Sequence, residues 1–493
     1  MLHTSHLFAA DQTHCSFADL PSGFYTRLAP RSLTQPQLLH ANPAAAALLG
    51  LHESDLRTPE FLDLCAGNAQ LPGITPLATV YSGHQFGVWA GQLGDGRAHL
   101  LGDVQGPLGV QEIQLKGSGR TPYSRMGDGW AVLRSSVREY LASEAMAGLG
   151  IPTTRALALV GSQDRVARET LETAAVVTRL APSFVRFGHF QHWARSAAQQ
   201  EILLEYVVSH WFPDCFEGTA SQPDWPATAC RLLKEVSQRT ARLMAQWQLV
   251  GFCHGVMNTD NMSILGLTLD YGPYGFMDAF QANHICNHTD TMGRYAWNTQ
   301  PAVAQWNLTR LAESLLCLGC AATDLEAALA GFESTFLQAY HAGLAQKFGL
   351  PDWRPEDAVL GDDWWALLHA QQADFTLAFR YLSRVDTRLE DWLSLFPQPD
   401  AARAWLVRYQ ARLADSSQPA AQRSDGMDQA NPLYVLRNHL AQQAIQAAQH
   451  GDTSEIDRLM DLLQHPYTER PGLASYAQPP SADAPALVVS CSS

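Results

Sequence analysis

Asn261 closes the string His254-Gly-Val-Met-Asn-Thr-Asp-Asn261, and Asp270 opens Asp270-Tyr-Gly272 nine residues later. An amide oxygen ending one loop and a carboxylate opening a D-x-G turn are the pair that holds a metal ion against phosphates in phosphoryl-transfer sites. The proton acceptor such loops carry five residues before the Asn is missing, because that position is Val256. Valine neither takes a proton nor orients a hydroxyl. The nearest carboxylate is Asp260, directly beside Asn261. The spacing therefore predicts an intact metal pair, Asn261 with Asp270, and a missing or displaced base, with Asp260 the candidate. Asn-Thr-Asp-Asn also suits a polar turn without chemistry, since Asn and Asp side chains bond their own backbone.

Phosphate binding needs cations and a closely approaching backbone. Gly91, Gly94 and Gly96 in GQLGDGR admit that approach, although a hairpin turn also demands glycine. Arg97 follows the turn. Lys116 lies 20 residues past Gly96, and Glu139 a further 23 residues on, near Val137 and Leu141 of a helical stretch. A lysine steered toward phosphates by a helix glutamate is the small-lobe arrangement of protein kinases; two unrelated surface charges are the plainer alternative. Arg179 and Arg186 bracket a strand exit and are spaced to reach one triphosphate bidentately, or else remain surface charges. Asp128-Gly129 adds a lid contact. Occurring in this order, the set points to a nucleotide site more strongly than any member alone.

The elements that must position these residues follow from periodicity. Residues 88–97 and 98–104 read as two strands joined by the Gly94-Asp-Gly96 turn, and 110–116 alternates as a third strand ending at Lys116. Helical spacing over 131–149 ends at Gly150-Ile-Pro152. Residues 174–180 form another strand. Beyond about residue 190 the chain reads as helices at 199–210, 230–248, 305–318 and 325–348, with loops at 351–354 and 396–399. Two more helices over 431–463 are split at Gly451-Asp-Thr453, and the tail from Pro471 is rich in Pro, Ala and Ser. The predicted class is α+β, a two-lobed protein-kinase-like fold. An N-terminal arm spans 1–75, with a helix over 36–49 closed by Gly50. A β-rich small lobe spans 76–188, a helical large lobe 189–400, and a C-terminal helical extension with tail 401–493.

A chain of 493 residues with 46% hydrophobic and 16% charged residues has an ordinary globular composition. Its formal charge of −15 argues against a general nucleic-acid or anionic-membrane partner. No apolar run reaches membrane-spanning length, and no secretory signal stands at the start. Nine scattered cysteines make no disulfide framework, and Cys317-Leu-Gly-Cys320 reads as core. A cytoplasmic monomer is expected.

The strings YSGHQFGVWAGQLGDGRA, EIQLKGSGRTPYSR, DGWAVLRSSVREYLASEAM, FCHGVMNTDNMSILGLTLDYGPYGF, NPLYVLRNHLAQQAI and the terminal SCSS resemble the selenoprotein O family over nearly the whole chain. That resemblance implies a kinase-like fold once classed as a pseudokinase. It implies ATP bound inverted and AMP, rather than phosphate, passed to Ser, Thr or Tyr hydroxyls of proteins. By motif, Gly94, Gly96, Arg97, Lys116, Asp128, Gly129, Arg179, Arg186 and Asp270 would bind nucleotide, and Glu139 would pair with Lys116. Asn261 and Asp270 would hold Mg²⁺, and Asp260 would act as base. Similar bacterial members also transfer UMP from UTP and favour Mn²⁺. A conventional kinase using Asp260 and a silent nucleotide-binding scaffold remain as alternatives. Cys491 stands where many eukaryotic members carry selenocysteine, and a link from it to Cys286 across the loop after Asp270 would be redox-labile.

Overall fold

Along Gly109–Lys116 the side chains alternate as a strand requires, yet from Gln111 onward both faces are buried. Ile113 and Leu115 join the main hydrophobic core, while Glu112, Gln114 and Lys116 line up on the opposite face of the pleat. This polar face is buried instead of being turned to water, and Lys116 at its end reaches the cavity described below.

The computed structural model describes residues 2–415 and 418–481, with 483, 487, 489 and 490. The chain is α+β. Its main sheet contains β1 (Tyr25–Arg27), β2 (Gln37–Ala41), β3 (Leu77–Gln85), β4 (Val88–Gly94), β5 (Ala98–Gly106), β6 (Gly109–Lys116), β7 (Arg155–Ala167) and β8 (Leu171–Ala181). Their order is β1-β3-β5-β6-β8-β7-β2, with β4 attached to β3, and neighbours run antiparallel. The two-residue strands Thr13–His14 and Ala131–Val132 complete it. Helix α1 (Leu133–Gly148) packs on β7 and β8.

Helices follow: α2 (Ala197–Trp211), α3 (Trp225–Leu249), α4 (Gln300–Leu315), α5 (Phe332–Phe348), α6 (Asp357–Gln371), α7 (Phe375–Leu382), α8 (Pro399–Leu413), α9 (Asn438–Gln449) and α10 (Ser454–Gln464). One core runs from the sheet through α1 to α3 and α4. A second, rich in tryptophan (Trp364, Trp392, Trp405), joins α5 to α8. The last two helices, α9 and α10, return to pack on α1. None of the described helices is long and apolar enough to cross a membrane.

Three expectations are corrected. Residues 36–49 are not one helix: β2 occupies 37–41 and a short helix starts at Pro43. Proline pushes the preceding residue out of helical space, and Asn42 is extended and caps Ala44 N–H with its side chain. The strand at 88–94 does not pair with 98–106 across the glycine turn. It pairs back with β3, because Asp95 Oδ2 accepts from Thr79 N–H (3.0 Å) and Thr79 Oγ1 (2.7 Å) and redirects the chain. The helix over 325–348 breaks between Leu329 and Phe332, around Gly331.

Candidate active site

Short strands Phe252–Cys253 and Gly275–Phe276 pair antiparallel and bring the two ends of segment 254–274 together. Within it, His254 Nε2 lies 2.8 Å from Leu269 O, and the ring stacks on Trp247 at 5.3 Å. Burial lowers the His254 pKa, so the neutral ring donates through Nε2 and ties the first loop to the residue before Asp270. Asn261 Nδ2 donates to Val256 O at 2.9 Å. Position 256 therefore contributes a backbone acceptor, and the Asn261 carbonyl oxygen is left for another partner.

Asp270 is where the cations converge. Its Oδ1 lies 3.1 Å from Lys116 Nζ and 2.6 Å from Arg179 Nη1, and its Oδ2 accepts from Arg186 Nη1. Lys116 also meets Glu139 Oε2 at 2.8 Å, and Arg179 meets Glu139 Oε1 at 2.9 Å. Burial alone would raise the Asp270 carboxyl, but Arg186, Lys116 and Arg179 outweigh it and hold the group well below the usual range. Burial lowers Lys116, against the pull of Asp270 and Glu139. Asp270 sits at φ 54°, a left-handed conformation for a residue with a side chain. That conformation costs about 1 kcal/mol or more and persists where surrounding contacts impose it; here three cations do so.

The sheet register explains the arrangement. Gln114 lies opposite Arg179 and Lys116 opposite Val177 across β6 and β8, so Lys116 and Arg179 share a face. Gln114 Oε1 accepts from Arg179 Nη2. Arg186 leaves the sheet beside segment 262–264: Phe187 N–H donates to Met262 O, Ile264 N–H to Val185 O, and Arg186 Nη1 to Asp260 O at 2.9 Å.

Asp260 is buried, and burial raises its pKa to about 6 against the lowering effect of Gln85. Gln85 Nε2 donates to Oδ2 at 3.1 Å, whereas Oδ1 is buried without a hydrogen-bond partner. The turn bearing Gln85 is fastened to the loop that carries Asp260. His84 N–H donates to Thr259 Oγ1 (2.8 Å), and Phe86 N–H reaches Asn258 Oδ1 (3.1 Å) and Tyr295 Oη (3.0 Å). Gly83 is required at this junction, since a Cβ there would lie 2.9 Å from Thr259 Oγ1 and 3.1 Å from Asp260 Oδ1.

A cavity of about 490 Å³ opens over these groups. Gly94, Gly96, Arg97, Lys116, Asp128, Gly129, Arg186, Asp260, Asn261 and Asp270 all line it. At Gly94, with φ 149°, a Cβ would stand 2.5 Å from the Tyr123 ring, so glycine lets the 117–129 loop close on the strand. Asp128 on that loop pairs with Arg168 at 2.7 Å. Arg179 and Glu139 do not line the cavity; they stand behind Lys116 and Asp270, with Arg179 1% exposed. Cys286 is half-buried and its Sγ donates to Cys253 O at 3.3 Å. His288 N–H bonds Val489 O at 2.9 Å, which places Val489 against the same loop; Cys491 lies outside the described residues.

A family model described as Protein adenylyltransferase SelO matches residues 8–464. The chain belongs to the SelO family. It is 61% identical over 481 residues to the protein nucleotidyltransferase YdiU of Bordetella avium, covering 97% of each chain. Similarity to the proteins of the same description from Ralstonia nicotianae (52% identity, 97% of this chain and 95% of the relative) and Dechloromonas aromatica (49%, 97% of each) is also end to end. A SelO-family chain matched at this level is an enzyme of the nucleotidyltransferase class, and a nucleotide is its substrate.

Three residues at this SelO-family site were not singled out from sequence: Gln85 on Asp260, Gln114 on Arg179 and Arg168 on Asp128. Gln114 was legible in principle, being two residues before Lys116 on one strand face. Gln85 and Arg168 lie far along the chain from the groups they bond, and no local pattern marks them.

Proposed function

We propose that this protein is a protein adenylyltransferase that passes AMP from ATP to Ser, Thr or Tyr hydroxyls. In this reading the scaffold is two-lobed and kinase-like, with 76–188 as the nucleotide-binding lobe, 189–400 as the helical lobe, 1–75 as an arm and 401–493 as an extension. The observation that carries it is the juxtaposition of Asp270, gripped by Lys116, Arg179 and Arg186, with Asp260 in the same cavity. Three buried cations share Asp270 and only two of them also reach Glu139, so an entering polyphosphate is the chemistry that satisfies them.

With the β- and γ-phosphates deepest, Lys116 and Arg186 face them and Arg179 adds its charge from behind. The α-phosphorus then lies toward Asp260. The acceptor oxygen bonds to the α-phosphorus as the bond to the α,β-bridging oxygen breaks. Pyrophosphate leaves, and the hydroxyl proton passes to Asp260, whose raised pKa suits a proton acceptor. Val256 is no defect in this geometry.

The donor set fits a hard divalent ion: the Asn261 carbonyl oxygen and the Asp270 carboxylate are oxygen ligands of the type Mg²⁺ or Mn²⁺ takes. Among the described residues no cluster of three or more His, Cys, Asp or Glu side chains forms a metal cage, so such an ion would lean on the phosphates for further ligands. When bound, it would neutralise charge developing on the α-phosphate and pyrophosphate.

Labelled ATP tests the reading. α-Label should appear on protein and γ-label in pyrophosphate. Label from the γ-position on protein would instead establish an ordinary kinase using Asp260, and ATP binding without transfer a scaffold. Competing UTP with Mn²⁺ in the same assay ranks AMP against UMP. A Cys286–Cys491 link belongs to the proposal as well, supported by Val489 docking next to His288.

A further inference from the structure

The turn between β3 and β4 has one side fastened to the loop that carries Asp260 and another side turned outward. Outward lie Phe86, Val88 and Trp89, which are 37%, 70% and 50% exposed. Three large apolar side chains this open on one hairpin, with Val88 on the pleat face of Gln85 and Trp89 on that of His84, are uncommon except where another molecule covers them. Strand β4 pairs with β3 along one edge, and among the described residues no strand pairs with its other edge. An open edge offers a row of backbone donors and acceptors that an extended segment can match.

Beside this turn stands a cation without a counter-charge. Arg294 packs over Gly87, lies 4.7 Å from the Trp306 ring and 5.8 Å from that of Tyr295. Its Nε is buried without a hydrogen-bond partner, and among the described residues no carboxylate is within ion-pair distance. Neighbouring Arg310, also against Trp306, is paired with Glu313 at 2.6 Å. Asp290, the nearest acid in sequence, spends its two oxygens on the backbone N–H groups of Arg294 and Tyr295. Arg294 is thus held in place by stacking and by the Tyr295 hydroxyl, with no carboxylate against it, on a protein of net charge −15. Tyr295 carries the patch inward, since its hydroxyl donates to Asn258 Oδ1 at 2.6 Å, two residues before Asp260.

We propose that the open edge of β4, with Phe86, Val88, Trp89 and Arg294, is the docking surface for the acceptor polypeptide, and that it selects an extended segment carrying a carboxylate side chain and an apolar residue close to the modified hydroxyl. The carboxylate meets Arg294, the apolar side chain covers Trp89, and the segment continues toward Asp260. This inference rests on the acceptor being a protein, as in the function proposed above.

The test uses the full-length protein and two short fluorescein-labelled peptides, alike except that Glu or Lys flanks one Tyr beside Leu. Fluorescence anisotropy measures their binding without requiring turnover. The wild type should bind the Glu peptide roughly ten-fold more tightly than the Lys peptide, the scale of one desolvated charge contact at an interface. Arg294→Glu should reverse that order, Arg294→Lys should keep it, and Trp89→Ser should weaken both peptides. ATP affinity should be unchanged in all three, which also reports that they fold. Equal binding of the two peptides, no binding of either, or an unchanged preference in Arg294→Glu overturns the proposal. So does a concentration-dependent dimer that Trp89→Ser dissolves, since a second copy would then be the occupant. Charge-selective binding without AMP transfer would count against the adenylyl reaction alone, whereas AMP transfer with no charge preference would count against this surface alone.

Discussion

Arg138 and Tyr274 hold each other reciprocally. Arg138 Nη2 donates to Tyr274 O at 2.7 Å, Tyr274 Oη donates to Arg138 O at 2.8 Å, and the guanidinium lies 4.5 Å from the ring centroid. Arg138 precedes Glu139 on α1, and Tyr274 follows Asp270 by four residues, so this clasp sets the spacing between the two carboxylates that share Lys116. Arg138 also donates to Asn438 Oδ1 at 3.2 Å, which includes α9 in the clasp. Arg138→Met should destabilise the protein by about 2–3 kcal/mol, because it strips buried acceptors of a charged donor. Tyr274→Phe should cost about 1 kcal/mol. Urea unfolding measures both; a wild-type midpoint for Arg138→Met would show that the clasp carries no stability.

Removing the charge at Asp270 leaves Lys116 and Arg179 with Glu139 alone and takes from Arg186 its carboxylate partner. Asp270→Asn should abolish nucleotidyl transfer and lower the stability of the nucleotide-free protein by about 3 kcal/mol or more, the scale of breaking a buried ion network. Thermal unfolding with and without ATP checks this, since bound polyphosphate should restore part of the loss. Transfer at the wild-type rate would remove Asp270 from the reaction.

Asp260 should affect chemistry more than binding. Asp260→Asn keeps the shape and the contact with Gln85 but cannot take a proton, so turnover should fall by roughly 10²–10⁴ with ATP affinity held within a few-fold. Lys116→Ala, by contrast, should lower both. Single-turnover rates together with nucleotide titrations separate the two outcomes, and full turnover in Asp260→Asn would move the base elsewhere.

A second buried acid pair predicts a pH effect away from the site. Asp103 and Glu112 face each other across β5 and β6. Their outer oxygens accept from Ser16 N–H and Phe184 N–H, both at 2.7 Å, while Asp103 Oδ1 and Glu112 Oε1 are buried without partners. Burial raises both groups, and for Glu112 the charge of Asp103 adds to it, well above the usual range. A proton held more tightly in the folded state gives stability that is fully present below the unfolded carboxyl pKa and is lost as pH rises through the folded value. Glu112→Gln should therefore have a flatter profile of stability against pH, gaining on the wild type from pH 4 to pH 8. Urea midpoints at the two pH values decide it; parallel profiles would mean the pair shares no proton.

Much of the site was legible because its members are local. Asn261 and Asp270 are nine residues apart on one loop pair, Lys116 ends an alternating strand, and Glu139 lies on a periodic helix. Spacing of this kind is written in the chain because strand and helix periods dictate which way each side chain points. The displaced carboxylate was legible for the same reason, with Val256 and Asp260 four positions apart. The pairing of β4 with β3 was not, since two glycine-bounded strands look like a hairpin and only the Thr79–Asp95 contacts turn the chain away. Nor could the sequence tell that Arg186 would line the cavity while Arg179 stood behind Asp270, because that depends on Gln114 lying opposite Arg179 across two strands. Arg294 looked like any surface charge until folding set it beside Trp306, out of reach of every described carboxylate. Local order follows from the chain's own periodicity; which charges finish paired, and which stay free, depends on contacts between residues far apart in sequence, and these exist only once the core has closed.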